Sequence, residues 1–256
     1  MLKLLSWNVN GVRAILNKGF LDWLHEEQPD ILCLQETKAH PGQLPPALLE
    51  PDGYATAWCA AQRKGYSGVG TFYKSSLKPL TIAPMGAEEF DREGRVQVST
   101  FNGFTLVNAY FPNSQDERAR LPYKLDFIDA MIDFCNHLRK KKQNVVITGD
   151  FNVAHERIDL ARPDDNKDSP GFYIEEREAM TKFLAAGYID TFRHFEPGPG
   201  HYTWWSYRSG ARERNVGWRI DYFCVNREFL PKVVKPYILP HVMGSDHCPV
   251  GLIVKE

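Results

Sequence analysis

NVVITGDFNVA, residues 144–154, decides how this chain is read. Val145, Val146, Ile147 and Thr148 form a short apolar, β-branched run of the kind that makes a buried strand, and Gly149 then releases the chain into a turn carrying Asp150 and Asn152. The strand thus delivers a carboxylate and a carboxamide to one sheet edge. An isolated GDxN has an ordinary alternative, because Asp and Asn are common turn formers. Its weight comes from recurrence of the same arrangement elsewhere.

Working outward to the N-terminus, Leu2 to Val9 predicts a strand that ends in WNVNGVR, with Asn8 and Asn10 alternating with Trp7 and Val9 before Gly11. Phe20, Leu21, Trp23 and Leu24 have helical spacing to about Gln28, where Pro29 stops the helix. DILCLQ, residues 30–35, is continuously apolar in the manner of a doubly covered parallel strand and is followed by Glu36. A β-α-β unit sets its two strands beside each other, so Asn8 and Glu36 are expected to face one crevice.

Pro41 to Asp52 predicts a surface loop, followed by short strands over Tyr54 to Ala60 and Ser67 to Lys74. Residues 84–95, PMGAEEFDREGR, predict a polar loop with its acids in solvent. Asn102-Gly103 joins strands Arg95–Thr100 and Phe104–Tyr110 as a hairpin. Leu125, Ile128, Met131, Ile132, Cys135 and Leu138 mark the longest amphipathic helix, and the cations Arg139 to Lys142 suit its C-terminus better than a binding site. The spacing also predicts a helix from Ile174 to Ala186 closed by Gly187, a strand near Asp190 to His194, and a last apolar strand reaching Val254. LLSWNVNG and VVITGDFNVA echo each other faintly as a strand followed by two spaced polar residues.

Composition narrows the class. With 43% hydrophobic residues in 256 and no linker or low-complexity tract, one soluble domain over residues 1–256 is expected. The charges nearly cancel, 31 Lys and Arg against 32 Asp and Glu, so a polyanionic partner must be held by a local patch. Cys33, Cys59, Cys135, Cys224 and Cys248 are scattered, which argues against a disulfide framework or thiolate zinc site and for a reducing, cytoplasmic setting. LKLLSWNV is too short for a signal peptide, and no apolar run approaches membrane-spanning length, so no membrane partner is expected.

Asn8, Asn10, Glu36, Tyr110, Asp150, Asn152, Asp221, Asp246 and His247 all fall at or near predicted strand ends, where open α/β folds bind ligands. Their types suit a hard divalent cation and a phosphate. Mg2+ is commonly held by one or two carboxylates, which Glu36 and Asp246 could supply, whereas zinc lacks a second His or Cys at ligand spacing. Asp150, Asn152 and His247 offer the water-positioning and charge-stabilising groups that phosphoryl transfer needs. Taken singly, each has a bland reading as a cap, a solvated acid or a packing tyrosine.

In order along nearly the whole chain, WNVNGVRA, DILCLQETK, GYSGVGTFYK, EFDREGR, NAYFPN, GDFNVAHERIDL, GFYIEER, YTWWSYR, NVGWRIDYF and GSDHCPVGL resemble the exonuclease III family of abasic-site (AP) endonucleases, in the endonuclease/exonuclease/phosphatase superfamily. The resemblance implies a four-layer α/β sandwich, two mixed β-sheets packed face to face and flanked by helices. It implies Mg2+-dependent hydrolysis of double-stranded DNA 5′ to abasic sites, with Mn2+ as substitute. Implied side activities are 3′→5′ exonuclease, 3′-phosphodiesterase or phosphatase on 3′-blocked ends, and incision at uracil or damaged bases.

By the same resemblance Glu36 and Asp246 are metal ligands, with Asn8, Asn10, Asp150, Asn152 and His247 at or near the metal. Asp150 handles the attacking water or the leaving group, Asn152 holds water and phosphate, His247 pairs with Asp221 at the scissile phosphate, and Tyr110 donates to a phosphate oxygen or assists the leaving group. Their division of labour stays open, as does the number of metal ions. Trp204, Trp218 and Ile220 resemble the pocket for a sugar without its base, while Trp205, Tyr222 and Phe223 are read as core. Arg208 resembles the inserted side chain, and Lys64, Arg212 and Arg214 could meet phosphates. Asn10 replaces an Asp and Trp204 a Phe found in some relatives. A monomer in the cytoplasm, at the nucleoid in a prokaryote, is expected. Two alternatives remain at this stage: a phosphatase or phosphodiesterase on a non-DNA substrate, and a catalytically silent DNA-binding module.

Overall fold

The computed structural model describes residues 1–256. Two mixed six-stranded sheets form its centre. The first has the order β11 (Val233–Ile238), β12 (Val250–Val254), β1 (Leu2–Asn8), β2 (Ile31–Gln35), β4 (Val69–Lys74) and β3 (Tyr54–Cys59). The second has the order β5 (Thr81–Ala83), β6 (Val96–Phe101), β7 (Phe104–Tyr110), β8 (Val145–Asp150), β10 (Asp221–Asn226) and β9 (Tyr188–Asp190). Each sheet holds one parallel pair, β1 with β2 and β7 with β8, and all other neighbours are antiparallel.

The parallel pairs need crossovers, and helices supply them. Helices α1 (Val12–Leu16) and α2 (Phe20–Glu27) link β1 to β2, and α5 (Leu121–Lys140) links β7 to β8. The sheets therefore equate β1 with β7 and β2 with β8, a different pairing from the β1–β8 echo visible in the sequence. Asn8 pairs in register with Gln35, and Tyr110 with Asp150. Both parallel pairs thus end at one edge of the sandwich.

Three apolar cores define four layers. Leu4, Ile31, Cys33 and Leu252 of the first sheet pack against Phe104, Leu106, Val146 and Phe223 of the second. Outside the first sheet, Leu5, Trp7, Leu32 and Phe72 pack on Val12, Ile15, Phe20, Leu24 and Leu48, the last from the short helix α3 (Pro46–Leu49). Outside the second, Val107, Val145 and Ile147 meet Phe127, Ile128 and Met131 of α5 and Met180 and Phe183 of α6 (Ile174–Ala185). Between the sheets, Gln35 Nε2 donates to Asn108 Oδ1 at 2.8 Å, and Asn108 Nδ2 donates to Gly70 O at 3.0 Å. These bonds pair buried amide groups across the sheets and fix how the sheets lie on each other.

Three local expectations are corrected. The strand expected near Asp190 to His194 is instead the end of β9 followed by α7 (Thr191–Phe195). Asp190 stops the strand because its carboxylate accepts from Arg193 N at 3.3 Å, as an N-cap, and also takes the buried Arg219 guanidinium at 2.6 Å. Pro41 to Asp52 contains α3 and a 3-10 turn rather than a plain loop. Residues 84–95 include α4 (Glu88–Asp91), and not all their acids face solvent: Asp91 accepts from Met85 N and Gly86 N, while Glu93 pairs with Arg95 and Arg120. Strand β11, an edge strand carrying Lys235 and Pro236, was not anticipated. The five cysteines are unpaired, and no helix is long and apolar enough to cross a membrane.

Candidate active site

Strand direction gathers the polar residues. Asn8 closes β1, Glu36 follows β2, Tyr110 closes β7 and Asp150 closes β8. Strand β10 runs the opposite way and begins at that edge, so its first residue, Asp221, stands in register with Asp150. The loop before β12 brings in Asp246 and His247. The turns that aim these groups are strained: Asn10, Glu36 and Asn152 have φ of 47°, 50° and 51°. Gly149 is required where it is, since a Cβ there would lie 1.8 Å from Ala109 O on the neighbouring strand.

Asn8 is fully buried and bridges the sheets: its Nδ2 donates to Glu36 Oε1 at 2.9 Å and to Asp150 Oδ2 at 2.8 Å. Asp150 Oδ1 accepts from Asn152 N at 2.7 Å, and its Oδ2 also accepts from Asn152 Nδ2 at 3.2 Å. Burial pushes the Asp150 carboxyl up to about 7, with Asp221 and Glu36 adding to the rise against the pull of His247. His247 joins Asp221 through Nδ1, 2.9 Å from Oδ2, and its Nε2 lies 3.9 Å from Asp150 Oδ2. Burial opposes charge on this ring, but Asp221 and Asp150 outweigh it and hold the imidazole protonated up to about 10. Burial, together with Glu36 and Asp150, raises the Tyr110 phenol well above its ordinary range, so it keeps its proton.

Glu36, Asp150 and His247 each place one polar atom within 4.8 Å of the others, and with the His247 ring protonated it is the carboxylates of this group that can hold a metal ion. Carboxylate oxygens predominate, which suits a hard cation and leaves zinc's nitrogen and sulfur set unmet. Asp246 stands just outside the trio. Its Oδ1 accepts from Asn10 Nδ2 at 3.0 Å and Ser245 Oγ at 3.2 Å, and its Oδ2 from Trp204 Nε1 at 3.0 Å. Burial acts against its ionisation, yet His247, Trp204 and Asn10 hold its carboxyl below the usual range.

These groups form the floor of a cavity of about 790 Å³ whose wall includes Trp204, Trp218 and Ile220. The Trp204 and Trp218 rings meet edge to face, 6.2 Å between centroids. Trp205, Tyr222 and Phe223 are core, at 3%, 1% and 3% exposure. The basic residues divide. Lys64, Arg208 and Arg214 are exposed outside this cavity, Lys64 lining a smaller one with Arg63 and His40. Arg212, in contrast, donates to Ser245 O, Pro240 O and Val242 O and lies over the Trp205 ring, so its guanidinium is committed within the protein.

Several site residues escaped the sequence reading. Lys38, also in a strained turn, contacts Glu36 Oε2 at 2.8 Å and donates to Asn10 Oδ1 at 2.5 Å. Thr203 Oγ1 donates to Asp221 Oδ2 at 2.6 Å, and Asn113 Nδ2 to Asn152 Oδ1 at 3.0 Å. Arg95, 1% exposed, donates to Tyr110 O at 3.0 Å with its guanidinium over the Tyr110 ring. A cation inside EFDREGR, two residues after an acid, was the only signal for it.

Comparison with known proteins follows the same lines. A family model described as the Endonuclease/Exonuclease/phosphatase family matches residues 5–247. The chain is 47% identical to an exodeoxyribonuclease of Bacillus subtilis, with 99% of each chain covered. It is 42% identical to a DNA-(apurinic or apyrimidinic site) endonuclease of Dictyostelium discoideum, over 99% of this chain and 70% of that protein. Among solved structures, an AP endonuclease from Leishmania major superposes with a TM-score of 0.90 at 32% identity, covering 100% of this chain and 88% of the other.

Proposed function

The chain belongs to the endonuclease/exonuclease/phosphatase family, and we propose that it is a DNA repair nuclease that hydrolyses the phosphodiester bond 5′ to abasic sites in double-stranded DNA. The observation that carries this reading is one cavity in which an apolar wall, Trp204, Trp218 and Ile220, adjoins Glu36, Asp150 and His247. A sugar that has lost its base is cheap to flip out and fits an apolar recess beside a hydrolytic group. The relatives named exodeoxyribonuclease and AP endonuclease support it.

Mg2+ is the cation that suits this donor set, with Mn2+ as substitute, held by Glu36 and Asp246 with Asn8, Asn10, Asp150, Asn152 and His247 at or near it. When bound, such an ion neutralises charge on the phosphoryl group and lowers the pKa of nearby acids and water. The protein's own groups do the rest. Asp150, a carboxylate almost without exposed surface, takes the proton of a water that Asn152 orients. His247, protonated through Asp221, presents Nε2–H to the developing phosphoryl charge, and Tyr110 offers its retained proton to a phosphate or leaving oxygen. One domain spanning residues 1–256, acting as a monomer in the cytoplasm, completes the proposal, with 3′→5′ exonuclease, 3′-phosphatase and damaged-base incision as side activities.

The test is a duplex with a single abasic analogue, run beside undamaged, uracil-containing and 3′-phosphate duplexes. The expected result is a nick immediately 5′ to the analogue with Mg2+ that a chelator abolishes. Equal cleavage of damaged and undamaged duplex would sink the reading. Trp204→Phe keeps an aromatic wall but leaves Asp246 Oδ2 without its donor. Half-saturation in Mg2+ should rise about tenfold, a typical cost of losing a ligand's orienting partner. An unchanged Mg2+ titration would separate Asp246 from the metal.

A further inference from the structure

The buried face of α5 is apolar except at one position: Leu121, Lys124, Phe127, Ile128 and Met131 share it, and Lys124 has no exposed surface. Helix α6 repeats the anomaly, burying Glu176 along with Met180 and Phe183. The two charges meet, Lys124 Nζ lying 2.7 Å from Glu176 Oε1. Stability does not account for them, because apolar side chains of similar volume serve a core as well as or better than a buried ion pair. With no surface at all, Lys124 is also not a DNA contact.

Their remaining bonds lead to the active site. Lys124 Nζ donates to Asn152 O at 2.5 Å, the carbonyl of a residue held at φ 51°. Glu176 Oε1 accepts from Ser114 Oγ at 2.7 Å, and Oε2 accepts from Gly171 N at 2.7 Å and Tyr173 N at 3.0 Å. Gly171 O in turn accepts from Ala154 N at 2.8 Å, and a Cβ on Gly171 would come 3.2 Å from Asn152 O. Asn113, next to Ser114, donates to the Asn152 side chain. Three walls of the cavity, at residues 113–116, 150–152 and 169–171, are thereby tied to one ion pair.

We infer that Lys124 and Glu176 are positioning residues that hold Asn152 in its strained turn and so set the rate of hydrolysis rather than the affinity for substrate. The inference rests on the nuclease reading above. Misplacing a catalytic group by about 1 Å is enough to cost on the order of a hundredfold in rate.

The test uses the full chain with two replacements, Lys124→Met/Glu176→Leu together and Glu176→Gln alone. The single variant keeps an oxygen for Gly171 N and Tyr173 N but presents Lys124 and Ser114 with an amide, so it serves if the double variant fails to fold. The expected result is cooperative melting, KM for the abasic duplex within about threefold, and kcat reduced on the order of ten- to a hundredfold. Amide hydrogen exchange should quicken at residues 150–154 and 169–173 and stay unchanged in β1 and β2. Wild-type kcat in a folded variant would overturn the inference, as would a loss confined to KM. If the wild type itself does not nick, the functional reading fails, and hydrogen exchange still decides whether the pair fixes these turns.

Discussion

Asp150→Asn should abolish turnover while leaving DNA binding and the fold intact. Asn has the same outline, so Asn8 and Asn152 keep a neighbour of the right shape, but the proton acceptor is gone and Asn8 Nδ2 now meets an amide in place of Oδ2. Losing a general base costs on the order of 10² to 10⁴ in kcat. Binding should change little, because the residue is 1% exposed and the exposed cations Lys64, Arg208 and Arg214 are elsewhere. Stability supplies a second readout. A carboxyl raised to about 7 holds its proton more tightly in the folded chain than its unfolded value near 3.9. Its ionisation therefore weakens the fold as pH rises between those values, with the full cost present above about 7. Asn removes that cost but also the acceptor for Asn8 Nδ2 and Asn152 Nδ2 and the charge facing His247, so the variant should gain on the wild type in melting temperature as pH rises from about 5 to about 8. Nicking rate, fluorescence anisotropy on an abasic duplex and thermal melting decide it; a variant that loses binding as well would make Asp150 a structural residue.

How much of this site the sequence disclosed depends on how locally each residue is determined. Asn8, Glu36, Tyr110 and Asp150 end or directly follow largely apolar strands, and the parallel register brings the ends of each pair together. Asp221 and His247 are different. They enter at the start of β10 and in the loop before β12, so their meeting with Asp150 depends on antiparallel register across the second sheet and on contact between sheets. Resemblance to a family, rather than periodicity, paired them. The four-layer arrangement came the same way, since strand patterns alone suggested only an α/β fold of one domain.

The residues that escaped are those whose side-chain direction is set by tertiary contact. Lys38 and Thr203 lie in turns where nothing nearby predicts which way they point. Asp190 to His194 was misread because Thr191 and Phe192 favour strands, whereas Asp190 capping α7 decided the matter. Arg212 was read as a phosphate contact from its basic, aromatic surroundings, and three backbone carbonyls claim it instead. Lys124 and Glu176 were legible in principle, as charges interrupting apolar stripes at helical spacing. Such a charge is better treated as a pointer to a site than as noise in the stripe.

Asp221→Asn should lower kcat on the order of 10² to 10³ at neutral pH and give the rate a new dependence on acidity. Asp221 Oδ2 faces His247 Nδ1 at 2.9 Å and accepts from Thr203 Oγ1, while its Oδ1 is buried without a partner. Asn keeps an acceptor for the ring, so the imidazole should stay oriented; what it loses is the negative charge that, with Asp150, holds the ring protonated up to about 10. A raised ionisation means the charged form persists below that value and is lost above it. Removing Asp221 brings the loss down toward neutrality, leaving a neutral ring against the developing phosphoryl charge. The wild-type rate should therefore show no loss from His247 deprotonation across neutral pH, whereas the variant should recover part of its rate as the solution is acidified. Because Asp150 loses its base form in the same direction, that recovery should pass through a maximum and then decline. Removal of a nearby carboxylate also lowers the Asp150 ionisation, since Asp221 helps raise it, which places the declining limb of the variant at lower pH than in the wild type. Parallel pH profiles for the two proteins would show that His247 does not act as a cation, and would shift the phosphoryl charge onto Tyr110 and the metal.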